Sequence, residues 1–278
     1  MASSAQLKAA LDLMKRLPPG KIEDNLADLV DLAPDLEDDL LAAVDQPLQV
    51  HRDSSGRDFL LCDYNRDGDS YRSPWTNDYV PPLADGVKPL LGLRRIEELA
   101  NDVFDAYRGR YYEGGVSSVY VWDLEGSADF AACVLFHKDS ADLDGHVQGT
   151  GRWDAVHVLE ARTAEGVTTY KLTTTVMMTI KTSEGGDTDI AVSLTRQSDR
   201  TEAAKDDAAH VINMGRQIED MELKIRDALV NVYIGKMREV FNNLRKYQGA
   251  SAETERREIQ ANLAAALTAR NSGNTAPQ

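Results

Sequence analysis

Cysteine and histidine are scarce in this sequence, and the few present are scattered. The 278 residues include two cysteines, Cys62 and Cys133, and five histidines that form no HxH or HxxxH cluster. A structural zinc site needs about four Cys or His ligands at short spacings. Both cysteines stand in apolar runs, FLLCDY and FAACVLF, so we expect buried, reduced thiols. We expect no metal and no other cofactor.

Long uninterrupted apolar runs are also lacking. Lys8, Asp12, Lys15 and Arg16 interrupt the first apolar pattern, which argues against a secretory signal peptide. No run approaches the roughly 18 apolar residues that a membrane-spanning helix needs. Residue 2 is Ala, which argues against N-terminal myristoylation. We therefore expect a cytoplasmic protein that is not embedded in a membrane.

Motifs of the common enzyme classes are missing too. The sequence contains no GxGxxG, GxxxxGK[ST] or GxSxG, which carry phosphate binding or nucleophilic catalysis in many enzymes. The carboxylates are abundant but show no pattern that sets a catalytic pair apart. We expect no catalytic residues; an enzyme built on an antiparallel sheet is the alternative, which turnover of a substrate would favour.

One segment imitates a calcium site. Residues 63–68, DYNRDG, match the opening of a calcium-binding loop, but position 12 of that loop is Pro74 where a bidentate Glu is required. A folded turn capped by its own Asp side chains is the better interpretation.

The formal net charge is -15, which argues against a nucleic-acid or membrane binder. The acidic side chains lie mainly in the first 235 residues, because the segment 236–278 has seven basic and four acidic residues. A basic tail on an acidic body indicates that the tail meets an acidic partner.

Hydrophobic periodicity predicts an α+β fold in five parts. Residues 1–44 show three short helical stripes separated at Pro18-Pro19-Gly20 and Pro34, which favours a small antiparallel helical bundle. Residues 45–115 are rich in turn formers, with one short apolar run at 59–62 and one helix from about 93 to 112. Residues 116–200 contain five strand-like runs without intervening helices, which favours an antiparallel sheet.

A long helix is predicted within residues 201–248, beginning near His210 and continuing to Tyr247. About 35 helical residues would reach some 50 Å, farther than a five-stranded half-sheet, which hints at a second half from another chain. Residues 249–278 form a separate segment with Ile259, Leu263 and Leu267 at i, i+4 and i+8. This segment is either an amphipathic arm that binds a partner's groove or a helix docked on its own domain.

Several long stretches resemble the beta subunit of the actin filament capping protein. They include LDLMKRLPP, LLCDYNRDGDSYRSPW, EGGVSSVYVWDL, YKLTTTVM, SLTRQ and GRQIEDMELKIR. The resemblance covers roughly residues 5–250 and, more loosely, the last helix.

The resemblance implies a fold, a partner and a function. Residues 1–44 would form an N-terminal helical stalk. The five-stranded half-sheet would be completed by a capping protein alpha subunit in an obligate heterodimer, with the long helix over the sheet and a mobile C-terminal arm. The heterodimer would bind the barbed, fast-growing end of actin filaments, independently of calcium, and block subunit addition and loss. The alternative is a cap on an actin-related protein minifilament in the dynein activator complex.

The same resemblance implies which residues bind. The actin-binding residues would be Ile259, Leu263 and Leu267 of the arm, with Lys224 and Arg226 of the long helix. Only Arg270 follows the apolar stripe of the arm, fewer basic residues than the family often has.

Regulators carrying basic peptides are a further expectation, since the family is bound by such motifs. The loop with Asp63, Asp67 and Asp69 would contribute to an acidic groove for them; a self-capped turn is the alternative.

Overall fold

The computed structural model describes residues 4–124, 129–140, 149–182 and 188–236, together with 238, 239, 257 and 259–261. The chain divides into two compact units, residues 1–225 and 226–278. The first unit is an α+β fold with an N-terminal helical part, two small sheets and a five-stranded antiparallel sheet. None of the described helices is both long and apolar enough to cross a membrane.

The first unit begins with three short helices, as the sequence predicts. They are α1 (Ser4–Met14), α2 (Ile22–Leu32) and α3 (Glu37–Ala43). The Pro-containing breaks between them form short 3-10 turns at Pro19–Lys21 and Pro34–Leu36, because Pro fits the first turn of a helix and not its interior. The helices share an apolar core made of Ala10, Leu26, Leu29, Leu36 and Leu40.

The central segment contains more strand than the sequence analysis predicts. Five short strands make two small antiparallel sheets. They are β1 (Val50–Arg52) with β2 (Asp58–Leu60), and β3 (Arg66–Asp67), β4 (Ser70–Arg72) and β5 (Tyr79–Val80). The apolar run at 59–62 overlaps β2. The other four strands lie where the sequence indicates only turns and loops, because strands of two or three residues are too short to show a period-two pattern.

The helix after this segment and the main sheet match their predictions closely. The helix, α4, spans Leu91–Tyr111. The strands of the sheet are β6 (Val116–Asp123), β7 (Phe130–Ser140), β8 (Gly149–Ala164), β9 (Val167–Thr182) and β10 (Thr188–Glu202). They run antiparallel in the order β10-β9-β8-β7-β6. Glu165 and Gly166 both have positive φ, 52° and 82°, as the tight β8–β9 hairpin turn requires.

The two faces of the sheet are covered differently. The helix α5 (Asp207–Ala228) lies on one face, where Ile218 is fully buried and Glu222 contacts His157 of β8. The central segment covers the opposite face over β6 and β7, where Leu60 packs against Cys133. Strand β7 is therefore buried on both sides over most of its length.

Helix α5 begins three residues earlier than the sequence predicts, at Asp207, and is followed by a π-helical segment, Leu229–Lys236. Residues 238 and 239 are helical. The remainder of the predicted helix to Tyr247 lies outside the described residues.

Candidate functional site

Helix α5 separates a buried apolar face from an exposed outer face. Its buried apolar residues recur every three or four positions: Val211, Met214, Ile218, Met221 and Ile225. The outer face carries exposed side chains that include Ile212, 53% exposed, and Leu223, 62% exposed. Of the residues predicted to bind actin, Lys224 and Arg226 both lie in α5, and both are exposed.

A buried polar network holds α5 against the sheet and α4. The carboxylate of Glu222 accepts hydrogen bonds from Tyr107 (2.6 Å) and Tyr112, and lies 3.3 Å from Nε2 of His157. His157 Nδ1 lies 2.9 Å from Oγ1 of Thr174 on β9. Burial acts to raise the pKa of Glu222, but the hydrogen bond and charge of His157 and the two tyrosine hydroxyls hold it below its usual value. The outer face of α5 is therefore presented by a helix fixed in position.

Helix α4 closes one edge of the sheet. Asn101 Nδ2 donates to the carbonyl oxygen of Val119 at 2.8 Å, and Val119 N–H donates to Asn101 Oδ1 at 2.9 Å. Two residues further along β6, the N–H of Val121 donates to Oε2 of Glu97 at 2.8 Å. Side chains of α4 thus take the place of a neighbouring strand along β6, and they satisfy backbone groups that would otherwise be unpaired at a sheet edge.

Glu97 is itself held by two arginines. Arg72 donates to both of its oxygens at 2.8 Å, and Arg94 donates to one of them. Glu97 is fully buried and Arg72 is 3% exposed. A buried carboxylate needs such compensation, so this cluster couples α4, β4 and β6.

The opposite edge of the sheet is open. Strand β10 pairs with β9 along all of Thr188–Glu202, and no strand within the described part of the chain pairs with its other side. In its first half Asp189 accepts Gly20 N–H at 2.9 Å and Ser193 donates to Asp45 at 2.5 Å. In its second half two side chains of α5 make contact: Gln217 donates to the Ser198 carbonyl at 2.9 Å, and Asp220 accepts from Arg200 at 2.6 Å. An open edge of this length presents a row of backbone groups for another strand.

An apolar groove adjoins that open edge. Its volume is about 760 Å³, and it lies between the N-terminal helices and the ends of β9 and β10. Its apolar lining includes Met14, Leu17, Ile22, Val44, Met178 and Ile190. Ile190, on β10, is 46% exposed, so the groove and the open edge form one continuous surface.

The loop with the three predicted acidic residues is a folded turn and hairpin. Asn65 is buried; its Oδ1 accepts Cys62 N–H at 3.0 Å, and its Nδ2 donates to the Arg72 carbonyl at 2.9 Å. Asp67 is half-buried and accepts Val87 N–H at 3.1 Å. Asp63 and Asp69 are exposed, so two of the three carboxylates face solvent and the third is bonded within the fold.

No group of three or more His, Cys, Asp or Glu side chains in the described ranges is arranged to hold a metal ion. Asn65 and Asp67, which a calcium loop would use as ligands, are turned to backbone partners instead.

The predicted arm is only partly described. Ile259 is helical and 56% exposed. Leu263 and Leu267 lie outside the described residues. The prediction that these three form one binding stripe therefore remains a prediction.

The edge-closing residues Asn101 and Glu97 escape sequence reasoning. Both occur on a helix whose apolar stripe already accounts for its packing, and polar residues beside such a stripe are usually solvated. Their only sequence signal is their position one turn apart, at i and i+4, within that helix.

Comparison with known proteins identifies the family. Residues 7–241 match the family described as "F-actin capping protein, beta subunit". The chain is 47% identical over 274 residues to the F-actin-capping protein subunit beta of Drosophila melanogaster, covering 97% of this chain and 98% of that one. It is 47% identical to the Dictyostelium discoideum subunit over 94% of this chain and 97% of that one. The Caenorhabditis elegans subunit is 46% identical, over 95% and 98%.

A solved structure shares the fold. The actin capping protein alpha subunit of Plasmodium berghei, described as homodimeric, matches with a TM-score of 0.54 and 15% identity, covering 88% of this chain and 97% of that one. Its similarity concerns the fold alone. The full-length sequence matches, together with this α+β fold, show that the chain belongs to the F-actin capping protein beta subunit family.

Proposed function

We propose that this chain is the beta subunit of a heterodimeric cap that binds the barbed end of actin filaments and blocks subunit addition and loss there. The observation that carries the proposal is the family match over residues 7–241. Such a protein works in the cytoplasm, at actin-rich parts of the cytoskeleton.

The two different sheet edges support an alpha subunit as partner. The β6 edge is occupied by Asn101 and Glu97 of α4. Among the residues that the structure describes, no strand pairs with the outer side of β10 over Thr188–Glu202. A partner strand added beside β10 would extend the sheet and satisfy its backbone groups. Side chains from the same partner would enter the adjoining groove, whose lining is largely apolar.

The outer surface of α5 supports the filament side of the proposal. Lys224 and Arg226 are exposed on this helix while most of the chain is acidic, with a net charge of -15. Local positive charge on an acidic protein favours one orientation on an acidic partner. In this proposal Lys224 and Arg226 contact the terminal actin subunits, and Ile259, Leu263 and Leu267 of the arm enter an apolar cleft on actin.

Calcium has no part in this activity. Pro74 occupies the closing position of the only calcium-like loop in the sequence, and Asp67 of that loop accepts a backbone N–H from Val87. Capping is therefore expected to be the same with calcium and with a calcium chelator.

Basic-peptide regulators are proposed to use the exposed carboxylates of the same loop. Asp63 and Asp69 face solvent, and a flexible basic peptide gains from paired charges at such positions. Asp67 contributes charge and not a direct contact, because its carboxylate is engaged with Val87.

The decisive experiment co-expresses this chain with a capping protein alpha subunit and measures elongation from filament seeds. Seeds with free barbed ends should stop elongating at low heterodimer concentration, and seeds whose barbed ends are already blocked should be unaffected. Unchanged barbed-end elongation by a soluble, folded heterodimer would contradict the proposal. Binding to filaments of actin-related protein instead would point to the minifilament cap.

A matched pair of variants tests the surface of α5. Lys224→Glu with Arg226→Glu should weaken capping by about tenfold or more, since each contact to an opposite charge contributes on the order of 1 kcal/mol. Arg216→Glu with Lys205→Glu, at two exposed positions earlier in the chain, is the control, because it changes the net charge by the same amount. Equal losses from both changes would show that net charge and not these two positions matters.

A further inference from the structure

The only two cysteines of the sequence lie side by side in the fold. Cys133 on β7 is fully buried in an apolar cluster with Leu60 and Tyr120, and Cys62 packs against this cluster. Cys133 belongs to the buried cluster against which the Cys62 side chain packs. Both are free, so the fold juxtaposes two reduced thiols from distant parts of the chain.

Backbone contacts hold the Cys62 segment in this position. Leu60 N–H donates to Oγ of Ser118 at 2.9 Å, and the hydroxyl of Tyr120 donates to the Leu60 carbonyl at 2.6 Å. Ser118 and Tyr120 belong to β6, and Tyr120 is the register partner of Cys133. The segment is thus fastened to β6 immediately beside the Cys133 position.

The two thiols differ in access to solvent. Cys62 is half-buried and precedes the turn Asp63–Asn65, whose last N–H donates to the Cys62 carbonyl oxygen at 3.3 Å. Cys133 is fully buried. The hydrogen bond to Cys62, together with burial, raises the pKa of the Cys133 thiol, which keeps it protonated. A small dissolved oxidant therefore reaches Cys62 first, and Cys133 is placed to react with what forms there.

We propose that Cys62 and Cys133 are a peroxide-sensitive pair that closes to a disulfide. The Cys62 sulfur attacks one oxygen of hydrogen peroxide and the O–O bond breaks, leaving a sulfenic acid and one water. The Cys133 sulfur then attacks the sulfenic sulfur, the S–O bond breaks, and the leaving hydroxide takes the Cys133 proton as a second water. Two thiols are oxidised to one disulfide, and peroxide is reduced to two waters.

The disulfide would covalently cross-link the central segment to the main sheet. It would join Cys62, which immediately precedes the turn Asp63–Asn65, to β7. Trp122 packs against the same cluster and stacks on Tyr64 of that turn, with the ring centroids 4.2 Å apart. A thiol reductant such as glutathione would reopen it by exchange at the half-buried sulfur. The reaction depends on neither actin nor a partner subunit.

The test is peptide mapping of the folded, full-length chain, with its partner subunit where one is needed for solubility. The protein is treated with hydrogen peroxide, its remaining thiols are alkylated, and it is cut with trypsin without reductant. The expected product is a linked pair of peptides, residues 58–66 and 111–138, which separates on reduction. Under the same treatment Cys62→Ser should leave Cys133 reduced, and Cys133→Ala should accumulate a dimedone-reactive sulfenic acid at Cys62.

Three results would overturn the proposal. They are complete recovery of both alkylated thiols after peroxide, conversion of Cys62 to sulfinic acid without the linked peptides, or a disulfide between two copies of Cys62 seen as a reducible dimer. The wild-type mapping decides between these outcomes by itself, so the result stands even if Cys133→Ala fails to fold.

Discussion

Glu222 of α5 accepts a 2.6 Å hydrogen bond from the hydroxyl of Tyr107 in α4, and the same carboxylate contacts His157 of β8. One buried side chain thus joins the helix that lies on the sheet, the helix that closes the β6 edge, and the sheet itself. Replacing Glu222 should therefore weaken the packing of α5, α4 and the sheet against one another.

Glu222→Gln should lower the free energy of unfolding by about 1–3 kcal/mol, because charge-assisted hydrogen bonds at a buried site are lost. Glu219→Gln is the matched control: Glu219 lies on the same helix, is exposed, and accepts a hydrogen bond from Tyr111 at 2.8 Å. Urea unfolding of the two variants at neutral pH compares them, and equal losses would contradict a special role for Glu222.

The effect of Glu222 should depend on pH. Its folded-state pKa is lowered from 4.5, so its stabilising contribution is complete above about pH 5 and is lost as pH falls through the folded-state value. The free energies of unfolding of wild type and Glu222→Gln should therefore become more alike as the pH falls. A difference in unfolding free energy that stays constant down to pH 3 would contradict the lowered pKa.

His137 should show the opposite pH dependence. Its Nδ1 lies 2.6 Å from Oδ1 of Asp154, with Asp139 and Arg152 also nearby. Burial acts to lower the pKa of His137, but the hydrogen bond and charge of Asp154 raise it above 6.5. The stabilisation is present below pH 6.5 and is lost as pH rises through the folded-state pKa.

His137→Gln should accordingly destabilise the protein more at pH 6 than at pH 9. The control is His51→Gln, at an exposed histidine of β1, which should show little difference between the two pH values. Thermal unfolding at both pH values provides the measurement. A larger loss at pH 9 would mean that the charged imidazole is not the stabilising form.

Asn101→Ala should destabilise the fold and uncover a sheet edge. It leaves the N–H and C=O of Val119 without the partners that Asn101 supplies, and each unsatisfied buried group costs about 1–3 kcal/mol. Asp102→Ala, at the adjacent exposed position, should have almost no effect. Denaturant midpoints compare the stability of the two variants, and light scattering on warming compares their aggregation. An Asn101→Ala variant as stable and soluble as Asp102→Ala would refute the edge-closing role.

Ile190→Lys should weaken association with an alpha subunit by about tenfold or more, since burying an isoleucine contributes about 1.5–3 kcal/mol. Ile190 is 46% exposed beside the apolar groove on the open edge. Val103→Lys is the control, because Val103 is 43% exposed on α4, at the closed end of the sheet. The dissociation constants of the two variant heterodimers are measured by diluting labelled protein. Equal increases for Ile190→Lys and Val103→Lys would mean that the partner does not bind at the open edge.

Ile259→Arg and Leu263→Arg should each weaken capping by about tenfold to several hundredfold, mainly through faster dissociation, if the arm enters an apolar cleft. Gln260→Arg, at an exposed neighbour of Ile259, adds the same charge off the stripe and should leave capping nearly unchanged. Filament-end dissociation and thermal unfolding are measured on the same heterodimers. A large fall in melting temperature with unchanged capping per folded molecule would favour a docked helix and exclude the arm.

Much of the fold follows from the sequence alone. The three short helices, α4, the five long strands and the apolar stripe of α5, though not its first residues, follow from periodicity and Pro or Gly breaks, because each buries one face over several turns or residues. The long motifs, from LDLMKRLPP to GRQIEDMELKIR, were sufficient to recognise the family.

Tertiary structure decided what local pattern does not encode. The small sheets β1–β5 depend on pairings and buried side-chain bonds such as Asn65 with Arg72, not on periodicity. Whether a polar helix residue is solvated or closes a sheet edge depends on what lies opposite, as Asn101 and Val119 show. The meeting of Cys62 and Cys133 is likewise a product of the fold, since residues so far apart in sequence are brought together only when the central segment packs on β6 and β7.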